Sequence, residues 1–155
     1  MTDDRGGPRI LVLGIGNLLM GDEGIGIHVV RKLQDLGRRP DVDVVDGGTG
    51  GFHLLEYFQT YDRLILVDAA ADGGSPGTVR LIRPRFSKDF PPTLTAHEIG
   101  LKDLLDAAQL LDAQPEIRLV TISIDEVPGA RLELSAAIKA AIPEATRLVR
   151  EQLST

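Results

Sequence analysis

The chemistry available to this chain rests on carboxylates placed at the ends of apolar runs. Asp22 and Glu23 follow a glycine-bounded run and open a helical segment, while Asp46 and Asp68 lie at the ends of two further runs. Cysteine is absent, which removes thiolate metal sites, disulfides, iron–sulfur ligation and a cysteine nucleophile. Histidine occurs three times, at positions 28, 53 and 97. Two or three carboxylates with one imidazole and no thiolate suit a divalent ion that accepts oxygen and nitrogen donors; zinc, nickel and manganese are all tolerated. Such a site needs ionised carboxylates and a neutral imidazole, so its affinity falls in acid.

Each residue also has a plainer reading. An acid at a helix start is commonly a cap or a dipole partner, worth about 0.3–1 kcal/mol. Asp22 fits the N-cap role, and Glu23 fits the dipole role. Asp46, followed by Gly47, Gly48, Thr49 and Gly50, reads as a tight turn whose glycines would also admit a peptide backbone. His28 and His53 fall on polar helix faces and read as surface residues. His97 opens a later helix; spacing does not place it beside the acids, and by itself it reads as a solvated residue. Asp68 is harder to dismiss, because it ends the most apolar run in the chain, where an ionised group is costly without partners.

The elements that must position these groups follow from periodicity. Arg9–Gly14 and Arg63–Ala70 are short runs apolar on both faces, as buried parallel strands are, and Ile117–Ile124 is a third. Val42–Asp46 reads as a further strand, and Thr78–Ile82 alternates like an antiparallel edge strand. Asp22–Leu36 has an apolar stripe at helical spacing with Gly37 placed to stop it. A helix carrying Phe52, Leu55 and Phe58 on one side follows the Gly47–Gly51 turn. Thr95–Glu98 matches a capping box that opens a helix continued by Leu101, Leu104, Leu105 and Ala108. Ser135–Leu153 is helical, bent or broken at Pro143. The expected fold is α/β: a three-layer α/β/α sandwich with a twisted, mostly parallel sheet of about five strands. Right-handed crossovers put the first strand between the second and third. Ligand sites in such sheets lie outside the carboxyl edge where strand order reverses. Asp22, Glu23, Asp46 and Asp68 are therefore expected to converge there, with His97 as a candidate fifth member.

Composition narrows the partners. Lys and Arg number 17 against 23 Asp and Glu, a formal net charge of −6, so no basic face for nucleic acid is expected. Residues 1–8 carry no positive flank with an apolar run and read as a flexible tail before a single domain over 9–155. No apolar stretch reaches the roughly 18 residues a membrane span needs, so no membrane association and a cytoplasmic location are expected. A dinucleotide site fails in detail: Gly14 and Gly16 are followed by Leu19 where a third glycine belongs, and acids follow beside the would-be pyrophosphate. No phosphate-binding Gly-Lys-Ser/Thr and no Gly-x-Ser-x-Gly elbow exist, so covalent nucleophilic catalysis has little support.

Four blocks in order resemble one family. LVLGIGNLLMGDEGIG, VDGGTGG, LILVDAA and TAHEIGL are similar to the corresponding blocks of the hydrogenase maturation proteases, endopeptidases that process the large subunit of nickel–iron hydrogenases. The resemblance runs from about Arg9 to the last helix and implies a twisted sheet between helices. It implies metal-contacting roles for Glu23, Asp68 and His97, a substrate-contact loop at Asp46, Gly47, Gly48 and Thr49, and a structural role for Asp22. Asp46 or Asp68 would serve as catalytic base. The implied partner is the precursor of a hydrogenase large subunit, cut near its carboxyl terminus once nickel is in place. The nickel arrives with that substrate, so no resident organic cofactor is expected, and the free protein is expected to be a monomer. The alternative function is a nickel-dependent docking or chaperone module without hydrolysis.

Overall fold

The computed structural model describes residues 7–91, 101–125 and 130–154. Five strands, β1 (Ile10–Gly14), β2 (Val42–Asp46), β3 (Arg63–Ala70), β4 (Val79–Ile82) and β5 (Glu116–Ser123), form one sheet in the order β2-β1-β3-β5-β4. Every neighbouring pair is parallel except β4 with β5. The strand order reverses at β1, with β2 on one side and β3 on the other, as the crossover rule requires. No helix among the described residues is long and apolar enough to cross a membrane.

Alternate side chains of the strands feed two cores. On one face Val12, Ile65, Val67 and Val120 pack with α1 (Ile25–Asp35) and α4 (Ala136–Ser154). On the other Leu11, Leu13, Leu64 and Leu66 pack with α2 (Leu55–Thr60) and α3 (Leu101–Leu110). The three layers are therefore those expected, and β1 with the first part of β3 reads as an unbroken aliphatic run because both faces are buried.

Three elements depart from expectation. The helix expected over Asp22–Leu36 is a 3-10 turn, Gly21–Gly24, followed by α1. Met20 bridges Arg131 just before that turn, which fixes it to another segment rather than to the helix axis. Phe52 is 59% exposed, and Leu54 takes the inward place beside Phe58. The cause is a 3-10 turn over Phe52–Leu54, whose three-residue period shifts the phase before α2 begins. Lastly, α4 runs through Pro143 without a break. Pro143 lies on the solvent face, where water can meet the carbonyl that its missing N–H leaves, and Ala141, Ala145 and Val149 stay buried on either side of it.

The amino-end edge of the sheet is tied to α4 by a polar network. Arg118, buried on β5, donates to Glu116 at 2.7 and 2.9 Å and to the Gln152 side chain at 3.0 Å. Arg63 on β3 donates to Glu116 at 3.1 Å and to the Gln152 carbonyl at 3.0 Å. Burial works to raise the Glu116 pKa, but the hydrogen bonds and charges of Arg118 and Arg63 win and hold it below its ordinary 4.5. The folded state thus favours the ionised carboxylate, so this stabilisation is present above about pH 4.5 and is lost as pH falls through the lowered folded value. Glu116→Gln should cost about 1–2 kcal/mol at neutral pH, since Glu116 is half exposed and partly screened. Thermal melts from pH 7 to pH 3 should show a shallower acid slope in the variant than in the parent.

Candidate active site

The carboxyl edge of β1 and β3 is built on backbone approach closer than a side chain allows. A Cβ on Gly26, in the first turn of α1, would lie 2.3 Å from the carbonyl oxygens of both Ile15 and Val67. A Cβ on Gly14 would lie 2.5 Å from the Gly26 carbonyl oxygen, and one on Gly16 would lie 2.4 Å from that of Glu23. These contacts are with backbone, which cannot swing aside. The glycines of the first block therefore press the start of α1 and the preceding turn against the ends of two strands. That turn packs on β3 and carries Glu23, which is half-buried with its Oε2 closed off from solvent. Asp68 is the residue after Val67 and is fully buried. Its Oδ1 accepts the Ala69 N–H at 2.8 Å. Across the sheet Asp68 stands opposite Thr121, itself buried, and two residues on Ser123 donates to Asp72 at 3.2 Å. The end of β5 is therefore polar where its middle is aliphatic. Asp72 was not among the acids singled out from sequence; a Gly74 N–H bond chiefly holds its pKa below the ordinary 3.8.

The expected loop also reaches this edge. Gly47 donates to the Gly14 carbonyl at 2.7 Å, and the Gly48 carbonyl accepts from Gly16 at 2.8 Å, so the two loops are laced together. Gly48 has φ +61°, a conformation that disfavours a side chain. Asp46 is exposed, and its Oδ1 accepts the Gly48 N–H at 2.8 Å, which is the tight-turn reading. Thr49 is exposed at the tip. Asp46 and Asp68 are two strands apart, about 10 Å by strand spacing.

Not every expectation is met. Asp22 does not cap its own segment: its carboxylate accepts the Ser135 N–H at 2.7 Å and the Ser135 hydroxyl at 2.8 Å, so it fastens the chain just before α4 to the site loop. His28 is not a surface residue. It is half-buried on α1, and its Nε2 is screened from solvent with no hydrogen-bond partner among the described residues. The alternation of polar residues could not show this, because the position sits at the boundary of the buried stripe. His53 is exposed, as expected. His97 and the capping box Thr95–Glu98 lie outside the described residues. Among the described residues no group of three or more His, Asp or Glu side chains is gathered as a metal site.

Comparison with known proteins meets this geometry. A sequence profile for hydrogenase maturation proteases of the HycI type matches residues 27–152, which hold Asp46, Asp68 and His97. The chain belongs to the hydrogenase maturation protease family. It is 37% identical over 153 residues to the hydrogenase expression/formation protein HoxM of Azotobacter vinelandii, covering 95% of this chain and 73% of that protein. That coverage leaves too few residues out to exclude Glu23. It is 33% identical over 150 residues to the hydrogenase 2 maturation protease of Escherichia coli K12, covering 92% of each. The fold matches the hydrogenase maturating endopeptidase HybD from E. coli with a TM-score of 0.84 at 32% identity, over 94% of this chain and 92% of that one. As a member of this family the protein is a peptide hydrolase.

Two outcomes test the construction of the edge. Gly26→Ala should cost about 3 kcal/mol or more in a denaturant melt, because the new methyl meets two backbone oxygens. Gly37→Ala, with open space but φ +107°, should cost about 1 kcal/mol. A smaller loss at Gly26 than at Gly37 would contradict the packing. His28 supplies the second outcome. Burial, aided by the Arg31 charge, lowers its pKa below the ordinary 6.5. The unfolded chain then binds the proton more readily, so His28 should reduce stability as pH falls below about 6.5, until the folded value is passed. His28→Gln should flatten the stability profile between pH 7 and pH 5.

Proposed function

We propose that this protease removes the carboxyl-terminal extension from the precursor of a nickel–iron hydrogenase large subunit after nickel has been inserted. The observation that carries the reading is the burial of Asp68 at the carboxyl end of β3, with the turn bearing Glu23 packed against that strand. Two hard oxygen donors on one edge, with His97 as the nitrogen donor, suit the nickel of an incoming precursor. The metal is part of the substrate, and its grip by Glu23, Asp68 and His97 would report that loading is complete.

Hydrolysis needs a water and a base, since the chain offers no cysteine and no serine elbow. A carboxylate takes a proton from the attacking water and returns it to the departing amine. Asp68 or Asp46 would fill that role, and the laced loop Asp46–Thr49 would hold the peptide beside it. A folded protein substrate also fits the rim of the edge. Leu19, Phe52 and Leu132 are 62, 59 and 70% exposed. Leu19 and Arg131 share a backbone hydrogen bond, which sets Leu132 beside the first loop, while Phe52 follows the second. Exposed apolar side chains around a polar site are what a docking protein partner covers.

The experiment is processing of purified large-subunit precursor, with and without nickel, read by intact mass. Nickel-loaded precursor should lose its extension and nickel-free precursor should not. Equal cutting of both forms would end the metal-recognition role. Binding without any loss of mass would favour a docking module in place of a protease. Glu23→Gln, Asp68→Asn and His97→Ala should each slow processing by about a hundredfold or more, with melting temperatures close to the parent's.

A further inference from the structure

At the far side of the sheet β2 is an edge strand with no further strand paired beyond it among the described residues. Ile10 donates to the Asp41 carbonyl at 3.4 Å and Gly47 donates to the Gly14 carbonyl at 2.7 Å. Residues 41, 43, 45 and 47 therefore turn their backbone groups to β1, and 42, 44 and 46 turn theirs away. Several of the outward groups are occupied locally. Val42 N–H donates to the Arg39 carbonyl at 3.3 Å, and the Gln34 side-chain amide donates to the Val44 carbonyl at 3.0 Å. The N–H groups of Val44 and Asp46 and the carbonyl of Asp46 stay open among the described residues, while Val42 is bridged to Arg39. Gln34 is the kind of polar cover that keeps a sheet edge from pairing at random, and a side chain is easily displaced.

The cleft along this edge, about 680 Å³, is lined by Gln34, Leu36, Arg38, Arg39, Tyr61 and Arg150. Its cations are concentrated against the trend of a chain of net charge −6. Arg38 and Arg150 have no ion partner among the described residues, whereas the nearby acids are engaged. Asp43 accepts the Tyr61 hydroxyl at 2.7 Å, and Asp41 pairs with Arg39 at 3.4 Å. Leu36 adds an apolar contact that is 52% exposed. The cleft leads to the catalytic edge: Asp46 stands opposite Gly14, and Gly14 opposite Val67, the neighbour of Asp68. A strand added outside β2 would lie about 14 Å from β3, a gap that about four extended residues span.

We propose that the edge of β2 seats the substrate's carboxyl-terminal extension, which adds to it as an antiparallel strand and lodges its terminal carboxylate among Arg38, Arg39 and Arg150. A chain that crosses the catalytic edge and turns back along β2 runs toward the start of that strand. There Arg39 forms a bridge with Val42. Main-chain hydrogen bonds then supply affinity without demanding a particular sequence, and the arginines recognise the one charge that every carboxyl terminus carries. This proposal rests on the processing reading above.

The test uses the full chain and nickel-loaded large-subunit precursor. Arg38→Glu combined with Arg150→Glu should raise KM about tenfold or more while kcat stays within about twofold; Lys88→Glu combined with Lys139→Glu, both exposed and away from the cleft, makes the same change of net charge and is the control. A precursor lengthened by a Gly-Ser tail, which carries the carboxylate past the arginines, should show the same KM change with the parent enzyme. Amide exchange at Val44 and Asp46 should slow when precursor is added to the parent enzyme, a readout independent of any variant's folding. Unchanged KM in the charge-reversed protein, or no protection at those two amides while precursor is cut, would overturn the docking proposal and leave the protease reading intact. Protection at β2 with no cutting would do the reverse. Precursor that neither binds nor is cut would overturn both.

Discussion

The structure depends on one steric constraint, the contact of a helix start with the ends of two strands at a distance only glycine permits. Gly26 meets the carbonyl oxygens of Ile15 and Val67, and Gly14 meets Gly26 in return. With that contact made, the 3-10 turn before α1 has little choice of position, and Glu23 is carried to the edge where Asp68 ends its apolar run. The same contact leaves Gly16 facing the Glu23 carbonyl and the Gly47–Gly48 backbone hydrogen-bonded to Gly14 and Gly16. One close approach thus joins two loops and the end of β3, which are far apart in the chain.

Polar groups are sorted to the two ends of the sheet, and the middle is left to aliphatic side chains. At the amino end Arg63, Arg118, Glu116 and Gln152 satisfy one another and fasten α4. At the carboxyl end the buried Asp68, Thr121 and Ser123 interrupt the aliphatic pattern. The difference between the ends is physical. Buried charge at the amino end comes with its partner and stabilises, whereas at the other end the buried Asp68 and half-buried Glu23 lie on the edge proposed above for the substrate. Asp22 belongs to the structural class despite its place beside Glu23, because Ser135 takes both of its oxygens.

Much of the fold was legible from periodicity. β1 and most of β3 are apolar on both faces because both are covered, and such runs have few other stable environments. The order of β1, β2 and β3 followed from the handedness of crossovers, which sequence detail does not alter. Less legible were positions at phase boundaries. Phe52 and His28 each lie where a 3-10 turn or a stripe edge decides burial, and a helical wheel assigns both to the wrong side. Pro143 was read as a bend or a break because its missing N–H is a local cost; the helix does not break there, since on a solvent face water can meet that cost and the buried stripe continues.

The sequence by itself determined the alternation of strands and helices, the aliphatic core, the absence of thiol chemistry and the family. Each depends only on residue type, order or spacing. The partners of Asp22, the burial of Asp68, the screening of His28 and the open edge of β2 were decided only by tertiary structure. Each of these depends on what a distant segment brings within a few ångströms. A carboxylate that holds a distant segment, as Asp22 holds Ser135, and one that is buried at a strand end, as Asp68 is, look alike until the chain has closed around them.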